Sequence, residues 1–378
     1  DPDRAAGALH ELVRAAWENA GRATNPEVVE KTGMGLSALS KRDLLPETRL
    51  LLALFPDRAR AVERRSGEDV ATRIRERLAG IAFGAPVEEQ GLTIFPLLAP
   101  NGSSPPAVPL SQAIDEGWAE ISEVSEEGEI PSLLIDNRGR TPVIVIEGEI
   151  FTGLKQDRVV NLTLVAAAGS RSTLPVSCVE QGRWRRSGAG IRSSSYASPR
   201  IRAYKTRSVY RRRAVSGTTS SDQAGIWRQV EAQLMGAGAS SPTGTLAAAY
   251  EASEKRLESL RDALPYPQGA CGFLAAQGEQ ILGLDLFDSP ETLERVWRRL
   301  ADGYFLEALT RAEAAGPIDE AAAARFLEKA AQGLRPSSRQ LGAGLELEIS
   351  GDGIVGSVCW FGGTLCHLSA HPIEEDRR

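Results

Sequence analysis

Cysteine is scarce in this sequence. Its 378 residues include four cysteines that lie far apart along the chain: Cys178, Cys271, Cys359 and Cys366. A disulfide-held domain carries more cysteines at closer spacing, so a disulfide scaffold is excluded. The chain also lacks a run of about 18 or more apolar residues, the length that a transmembrane helix needs. We therefore predict no membrane association, and a bacterial-type cytoplasm is the default location.

Histidine is rarer still, which limits the metal sites and catalytic triads that the chain can build. Of the three histidines, His10 stands alone on a predicted helix. His367 and His371 lie near Cys366, but no second ligand pair at zinc-type spacing accompanies them. No Ser-His-Asp or Cys-His arrangement can be recognised. A G-x-G pattern at Gly188 fails the dinucleotide fingerprint further on. We accordingly predict no metal and no cofactor.

The balance of charge is slightly acidic, with 50 Asp and Glu residues against 44 Lys and Arg residues. A protein that coats nucleic acid is normally basic, so any anion binding here must be local. Hydrophobic residues make up 42% and charged residues 25% of the chain, as in an ordinary globular protein. The sequence starts at Asp1 rather than Met, which leaves open a trimmed leader.

Apolar periodicity divides the chain into a helical N-terminal part and a larger mixed part. The predicted domains are a helix-turn-helix-like domain at 1–66, a connector helix at 67–80, an α+β domain at 81–373 and a tail at 374–378. In the large domain, β-prone segments alternate with helical patterns and Gly-containing turns. We predict an α+β fold with a mixed, mainly antiparallel sheet, several packed helices and an all-α N-terminal appendage.

The N-terminal part matches a helix-turn-helix template. In the segment PEVVEKTGMGLSALSKRDLL, Val29 and Leu39 occupy packing positions on two helices, and Gly33 lies at the turn between them. The resemblance is to the small helix-turn-helix domains of bacterial regulators. The second helix offers few basic side chains, whereas a DNA reader usually carries a basic surface. We favour a protein-partner or homo-oligomerisation role over DNA binding through residues 25–42, and we expect poor binding of duplex DNA.

The central segment from Pro142 to Trp184 carries the densest strand pattern. Val143–Ile146 is a continuous β-branched run, typical of a strand buried on both faces. From Arg158 onward apolar and polar residues alternate strictly, and Gly169 provides a turn before the next apolar strand. A hairpin centred on Gly169 would place Arg158 opposite Glu180.

The predicted hairpin ends in polar residues, and we predict a ligand-binding cleft there. Gln156, Arg158, Glu180 and Arg183 would gather at the end of an apolar face, where clefts tend to form. An arginine oriented by a carboxylate suits bidentate contact with a phosphate or another anion. The alternative is a structural salt bridge at the sheet edge, which would only stabilise the hairpin. Cys178, on the apolar face, is predicted to be an inert buried thiol.

Two carboxylates precede the hairpin, at Glu147 and Glu149. On a strand they would lie on one face, roughly 6 to 7 Å apart, which overlaps the carboxylate separation of inverting glycoside hydrolases. Any Glu-x-Glu strand has this spacing, so a purely structural role is the alternative. Together with Glu180, these two residues are the candidates for catalytic acid or base.

One segment, from Arg183 to Arg213, is strongly basic and contains no acidic residue. Arginine interleaved with tyrosine is the chemistry of phosphate and base binding. Tyr196, Tyr204 and Tyr210 are therefore predicted to be available for stacking on a bound base. Serine and glycine in the same segment indicate a mobile loop. A solvated loop without a ligand would have the same composition.

The segment EGEIFTGLKQDRVVNLTLVAAAGSRSTLPVSCVEQGRW resembles the central motif of a bacterial and archaeal family, the ADP-ribosylglycohydrolase-and-rhodanese/phosphatase-associated protein domain. Trp227, Trp297, the Asp285-Leu286-Phe287 run and the His367-Leu368-Ser369 run look similar too. The resemblance covers about residues 80–372 and leaves out the helix-turn-helix-like part. The resemblance implies an association with enzymes that process ADP-ribose and phosphate. It identifies no catalytic residues in this sequence.

These observations support three functional interpretations. The preferred one is a regulatory module that binds a small anionic, nucleotide-like or ADP-ribose-like ligand. The second is a hydrolase of an ADP-ribose-containing or phosphate-containing substrate, with Glu147, Glu149 or Glu180 as acid or base. The third is a transcription regulator that acts through residues 25–42. Whether the protein is an enzyme stays open, and carboxylates that converge in a cleft with raised pKa values would favour the hydrolase.

Overall fold

Antiparallel strands form much of this protein, which we describe from a computed structural model. The structure describes residues 56–99, 106–125, 131–185, 191–311, 316 and 318–373. Within these ranges lie seven helices and three mostly antiparallel sheets. The predicted α+β fold is therefore confirmed. The predicted helix-turn-helix contact of Val29, Gly33 and Leu39 and the predicted tail at 374–378 lie outside the described residues.

The helices and strands are numbered along the described chain. The helices are α1 (Pro56–Ala79), α2 (Leu110–Asp115), α3 (Pro199–Ser216), α4 (Gln223–Gly236), α5 (Ala247–Ala263), α6 (Pro290–Thr310) and α7 (Glu320–Gly333). The strands are β1 (Ala82–Phe83), β2 (Val87–Glu89), β3 (Leu92–Leu98), β4 (Val108–Pro109), β5 (Ala119–Glu123), β6 (Ser132–Asn137), β7 (Val143–Val145), β8 (Glu149–Thr152), β9 (Arg158–Val160), β10 (Leu164–Ala166), β11 (Ser170–Cys178), β12 (Arg192–Tyr196), β13 (Gly272–Gln277), β14 (Gln280–Leu286), β15 (Leu334–Leu341), β16 (Gly344–Gly351), β17 (Ile354–Phe361) and β18 (Thr364–Pro372).

The largest sheet lies between two groups of helices. Its strand order is β1-β3-β13-β14-β18-β17-β16-β15, with β2 paired to β3. Because successive side chains of a strand point to opposite faces, β13 contributes to two separate cores. Phe273 and Ala275 pack with residues of α6, whereas Leu274 packs with residues of α1 and α7.

Helix α1 contains the predicted connector and begins before it, at Pro56. Val70, Ala71, Ile74 and Leu78 recur at helical spacing and are all buried. Since these residues share one face of the helix, that face packs against β15 and α7. The predicted domain boundary at residue 66 falls inside this helix, and the one at residue 80 falls just after it.

Strands of the central segment join β4, β5, β6 and β12 in two smaller sheets around a separate apolar core. One sheet has the strand order β12-β8-β9-β11-β6-β5, and the other has the order β10-β7-β4, in which β4 and β7 are parallel. Val145, Phe151, Leu164 and Leu174 lie in this core and are at most 1% exposed. The β-branched run forms β7 with every residue buried, as predicted.

The predicted hairpin centred on Gly169 is wrong in its pairing. Gly169 does turn the chain, with a φ of +62°, but β10 pairs with β7 because residues 161–163 interrupt the predicted strand. The end of β11 pairs with β9, and there Cys178 lies opposite Arg158. Glu180 therefore lies two residues beyond its predicted position. A shift of two residues keeps the same face inward, so the predicted burial of Cys178 is confirmed.

The prediction of a basic mobile loop is wrong for most of the segment. Residues 192–196 form β12 and residues 199–216 form α3, while residues 186–190 lie outside the described residues. Pro199 stands at the start of the helix, and Gly217 ends it with a φ of +72°, a conformation that suits glycine. These local signals favour a helix, and they outweigh a composition that favours a loop.

Candidate functional site

The two carboxylates around Gly148 diverge. Glu147 precedes β8, Glu149 begins it, and Gly148 between them has a φ of +86°. The predicted placement on one strand face is wrong because this left-handed residue turns the chain between the two side chains. Both are buried, with 0% and 1% exposure. They share no hydrogen-bond partner among the described residues.

Glu147 is held by two cations of helix α3. Arg202 Nε donates to Glu147 Oε1 at 2.8 Å, and Lys205 Nζ donates to Oε2 at 2.8 Å. All three side chains are 0% exposed. Burial alone would raise the pKa of Glu147, but Arg202 and then Lys205 outweigh burial and hold that pKa well below its ordinary value. Glu147 is thus a fixed anion, poorly suited to proton transfer near neutral pH.

Asp285 of β14 is the second anion bound to Arg202. Arg202 Nη1 and Nη2 donate to its two carboxylate oxygens at 2.7 and 2.6 Å, and the Tyr304 hydroxyl donates at 2.7 Å. His367 Nε2 is 2.8 Å from Asp285 Oδ1, and His367 Nδ1 is 2.8 Å from the Thr163 hydroxyl. Burial opposes ionisation, but Arg202 dominates and holds the pKa of Asp285 below its ordinary value.

A single buried ion network therefore joins helix α3 to the large sheet; its members are Glu147, Arg202, Lys205, Asp285 and His367. The bonds from Thr163 through His367 to Asp285 have the connectivity of a catalytic triad. Thr163 is only 2% exposed, and its hydroxyl already accepts from the backbone N–H of Glu147 at 3.0 Å in addition to its bond with His367, so this hydroxyl is fully engaged inside the network. The network's role is to hold helix α3 in place.

Sequence analysis missed this network as a unit. Arg202 and Lys205 belong to the predicted basic loop, and Asp285 and His367 lie in two short runs that carry the family resemblance. The only signal that could have located them is the joint presence of those runs and a basic helix. The pairing itself joins residues 55 and 83 positions apart, which local pattern cannot reveal.

Glu149 has a different environment, shared with Ser193 of β12 and Arg299 of α6. The Ser193 hydroxyl donates a short hydrogen bond to Glu149 Oε1, and Arg299 Nη1 donates to Ser193 Oγ at 3.2 Å. Burial raises the pKa of Glu149 above its ordinary value, against the opposing effects of Arg299 and Ser193. Ser193 itself is half-buried. Glu149 thus combines a buried carboxylate with a partner that solvent reaches.

Arg158 is fully buried without a hydrogen-bonded carboxylate. Its Nη1 donates to Gln156 Oε1 at 3.2 Å and to Cys178 Sγ. Glu123 Oε2 is 3.9 Å from Arg158 Nη2, which is too far for a hydrogen bond. Arg158 Nε, Arg158 Nη2 and Glu123 Oε2 have no hydrogen-bond partner among the described residues. These two nitrogens form the lateral edge of the guanidinium, which can grip two acceptor oxygens at once.

Glu180 binds Arg183 rather than Arg158. Arg183 Nε and Nη2 donate to the two oxygens of Glu180 at 2.9 and 2.6 Å, and Nη2 also donates to Asp157 Oδ1 at 3.1 Å. The backbone N–H of Asp157 donates to Glu180 Oε2 at 3.0 Å. Because Asp157 lies between Gln156 and Arg158 in the chain, the structure brings together all four residues of the predicted cleft. Their role in binding stays a prediction.

Trp184 lies over Arg158. Its ring centroid is 5.4 Å from Arg158 Cζ and 5.8 Å from Lys155 Nζ, within the range of a cation–π contact. Trp184 is 46% exposed although Arg158 is 0% exposed. We refer to the following residues as the Arg158 cluster: Glu123, Gln156, Arg158, Cys178 and Trp184. Sequence analysis predicted two of them, Gln156 and Arg158, as ligand-binding, and it did not name Glu123 or Trp184 as candidates.

The tyrosines predicted to stack on a base are engaged elsewhere. Tyr196 is 1% exposed in the main core. The Tyr204 hydroxyl donates to Asp222 at 2.6 Å, and the Tyr210 hydroxyl donates to Glu346 at 2.9 Å. Trp184 is therefore the ring that a ligand at Arg158 would meet.

Cys178 should be unreactive in the native protein. Burial raises the pKa of its thiol to about 11, against the lowering effect of Arg158, and the thiolate is the reactive form. All four cysteines are buried. We expect mass spectrometry to find no N-ethylmaleimide adduct after minutes with native protein, and four adducts after unfolding in urea. Rapid native labelling at Cys178 would contradict this prediction.

The three histidines, which sequence analysis considered as metal ligands without predicting a metal, have the following places in the structure. His367 belongs to the buried ion network, and His371 is 1% exposed; His10 lies outside the described residues. Within the described ranges, no group of three or more His, Cys, Asp and Glu side chains could hold a metal ion. No helix in the same ranges is long and apolar enough to cross a membrane.

Residues 80–371 match the sequence profile of the ARPP-1 domain, the ARG and Rhodanese-Phosphatase-superfamily-associated Protein domain. The chain belongs to this family. The predicted resemblance is thereby confirmed, and the match includes every member of the buried ion network and of the Arg158 cluster. No curated protein and no solved structure matches the chain. The ARPP-1 domain is named for its association with ARG and rhodanese-phosphatase-superfamily proteins, which fits a regulatory or partner role.

Proposed function

We propose that this ARPP-1 protein is a ligand-binding regulatory module and that the Arg158 cluster binds an anionic group of its ligand. The observation that carries the proposal is the lateral edge of Arg158, which is buried and has no hydrogen-bond acceptor within the described part of the chain. An unsatisfied buried polar group costs about 1–3 kcal/mol, and a charged one costs more. A ligand that supplies two acceptor oxygens would remove this cost.

The surroundings of Arg158 narrow the chemistry of the ligand. Two acceptors on one group, as in a carboxylate or phosphate, match the Nε–Nη2 edge. Glu123 Oε2, whose ion-pair partner Arg158 Nη2 lies 3.9 Å away, accepts no hydrogen bond from the described residues, and a sugar hydroxyl would provide a donor. Trp184 offers an exposed ring for stacking. Phosphate, sugar and base together describe a nucleotide or ADP-ribose-like molecule.

The regulatory part of the proposal rests on the family's association with ARG and rhodanese-phosphatase-superfamily proteins. A module that senses an ADP-ribose-like ligand would report on the supply of such a molecule to a partner. We place this function in the cytoplasm. We assign the contact with a protein partner, or with a second copy of the chain, to the predicted N-terminal domain at 1–66.

The substitution Arg158→Lys should abolish ligand-induced stabilisation. Lysine keeps the positive charge but lacks the fork that binds two oxygens at once. In thermal-shift measurements, a ligand at 100 times its Kd should stabilise the wild-type protein by about 2.7 kcal/mol. The probes are ADP-ribose, AMP and inorganic phosphate. We expect ADP-ribose or AMP to stabilise the wild type, and the variant to show no shift.

Arg171→Lys is the matched control because Arg171 is 65% exposed and pairs with Asp136 on the surface. Each variant is compared with itself, with and without the probe, so that a lower intrinsic stability of Arg158→Lys does not affect the result. The proposal is wrong if none of the three probes stabilises the wild type. It is also wrong if the stabilisation survives in Arg158→Lys.

A further inference from the structure

A second group of reactive side chains lies around Ser193, apart from the Arg158 cluster. Three different elements supply it: Ser193 comes from β12, Glu149 from β8 and Arg299 from α6. The hydroxyl donates to the buried carboxylate and accepts from the guanidinium. We propose that Ser193 is a nucleophile that hydrolyses carboxylic esters, with Glu149 as its general base and Arg299 as the cation beside the developing oxyanion.

The backbone at Ser193 is irregular in a way that suits a functional site. The pairing of β12 with β8 shifts between Ser193, opposite Phe151, and Ser195, opposite Ile150. Ser194 is the extra residue and is exposed. β-Bulges of this kind re-aim side chains and are frequent beside active sites. Here the bulge leaves Ser193 half-buried above Glu149.

The burial of the three groups suits their proposed roles. Glu149 is 1% exposed, so its hydrogen bond to Ser193 is shielded from water. Ser193 and Arg299 are half-buried, so a substrate can reach the hydroxyl from solvent. Burial raises the pKa of Glu149, which makes its carboxylate a stronger base than an exposed one. A nucleophile bonded to a base is the arrangement that covalent catalysis requires.

The reaction proceeds in two balanced steps. Ser193 Oγ forms a bond to the ester carbonyl carbon while its proton passes to Glu149, and the carbonyl oxygen becomes an oxyanion near Arg299. The carbon–oxygen bond to the alcohol then breaks, and the alcohol leaves with the proton from Glu149. In the second step, water gives its proton to Glu149 and attacks the acyl group on Ser193. The acid is released and the proton returns to Ser193.

A phosphate monoester is the alternative substrate, because its electrophilic phosphorus atom would lie beside the same hydroxyl and arginine. The Glu149 carboxylate, one hydrogen bond behind Ser193, repels a dianionic phosphate, whereas a neutral carboxylic ester meets no such repulsion. The chemistry of the site therefore favours esters. Paired assays with p-nitrophenyl acetate and p-nitrophenyl phosphate distinguish these two substrates.

Replacing Ser193 by Ala in the full chain should lower the rate of p-nitrophenyl acetate hydrolysis to the rate in buffer alone. Labelling by a fluorophosphonate, located by peptide mass spectrometry, should occur at Ser193 and disappear in the variant. Ser194→Ala is the matched control, since it removes the neighbouring exposed hydroxyl, and it should keep both activity and labelling. Glu149→Gln should lower the rate by about 10²- to 10⁴-fold, and Arg299→Gln by about 10²- to 10³-fold.

The pH profile provides a separate readout. The rate should fall as acid protonates Glu149, with a midpoint above the ordinary carboxylate range; Arg299 and Tyr196 are the other titratable groups that act on this carboxylate.

Equal hydrolysis by wild type and Ser193→Ala, or labelling at another residue, would overturn the proposal. Preferential turnover of p-nitrophenyl phosphate would overturn the assignment to esters. Thermal melting confirms that each variant is folded, and the Ser193→Ala and Ser194→Ala pair decides the outcome if Glu149→Gln does not fold.

Discussion

Arg202→Met is expected to destabilise the protein by about 3–5 kcal/mol, the cost of breaking a buried ion pair by removing one partner. Arg202 is 0% exposed and binds both Glu147 and Asp285. Methionine replaces much of the apolar stem, so the loss is mainly electrostatic. Because whole domains are stable by about 5–15 kcal/mol, such a change could leave the protein largely unfolded. Urea unfolding followed by circular dichroism measures it.

Arg138→Met is the control for this substitution. Arg138 also contacts two carboxylates, those of Asp136 and Glu120, but it is 61% exposed. An exposed ion pair contributes about 0–1 kcal/mol, so the control should unfold almost like the wild type. Adding Asp285→Asn to Arg202→Met should recover part of the lost stability, because it removes one unpaired buried anion. Equal stability of Arg202→Met and Arg138→Met would refute the role of the network in holding helix α3.

The free energy of unfolding should fall strongly as the pH drops below about 4.5. The folded-state pKa values of Glu147 and Asp285 are held below their ordinary values, so the unfolded chain takes up protons first as the pH falls. These two groups contribute their full stabilisation at pH values above their unfolded-state pKa values. That stabilisation is lost as the pH falls toward their folded-state pKa values. Each carboxylate whose pKa is lowered on folding adds to this acid dependence, so Glu147 and Asp285 act in the same direction.

The measurement is the free energy of unfolding in urea at pH 7, 5, 4 and 3. Glu149 contributes in the opposite direction, because its raised pKa favours the folded state until the pH rises through that value. Asp285→Asn should flatten the acid dependence, whereas Glu291→Gln, a change in the exposed ion pair with Arg295, should leave it nearly unchanged. An unaltered slope in Asp285→Asn would show that acid acts through other groups.

Local patterns were enough to predict some elements of this fold, but they missed β12 and α3 in the basic segment. The β-branched run at Val143 forms a buried strand, and Gly169 turns the chain with a φ of +62°. These features depend on residues within a few positions of one another, so the sequence carries them directly. The strand register depends on a distant partner. A two-residue shift preserves the apolar pattern, and this is why the Arg158–Glu180 pairing was wrong.

The sequence by itself determined the α+β class, the family, the buried state of Cys178 and the grouping of Gln156, Arg158, Glu180 and Arg183. Only the tertiary structure decided which charged residues are buried and which partners they have. By composition, Arg202 and Lys205 belong on the surface. They are buried because Glu147 and Asp285, distant in sequence, meet them inside the fold. The same cause operates at Arg158, where the fold buries a guanidinium whose lateral edge has no hydrogen-bond acceptor among the residues that the structure describes. A charge is stable inside a protein only with a partner in three dimensions, and one-dimensional spacing does not specify that partner.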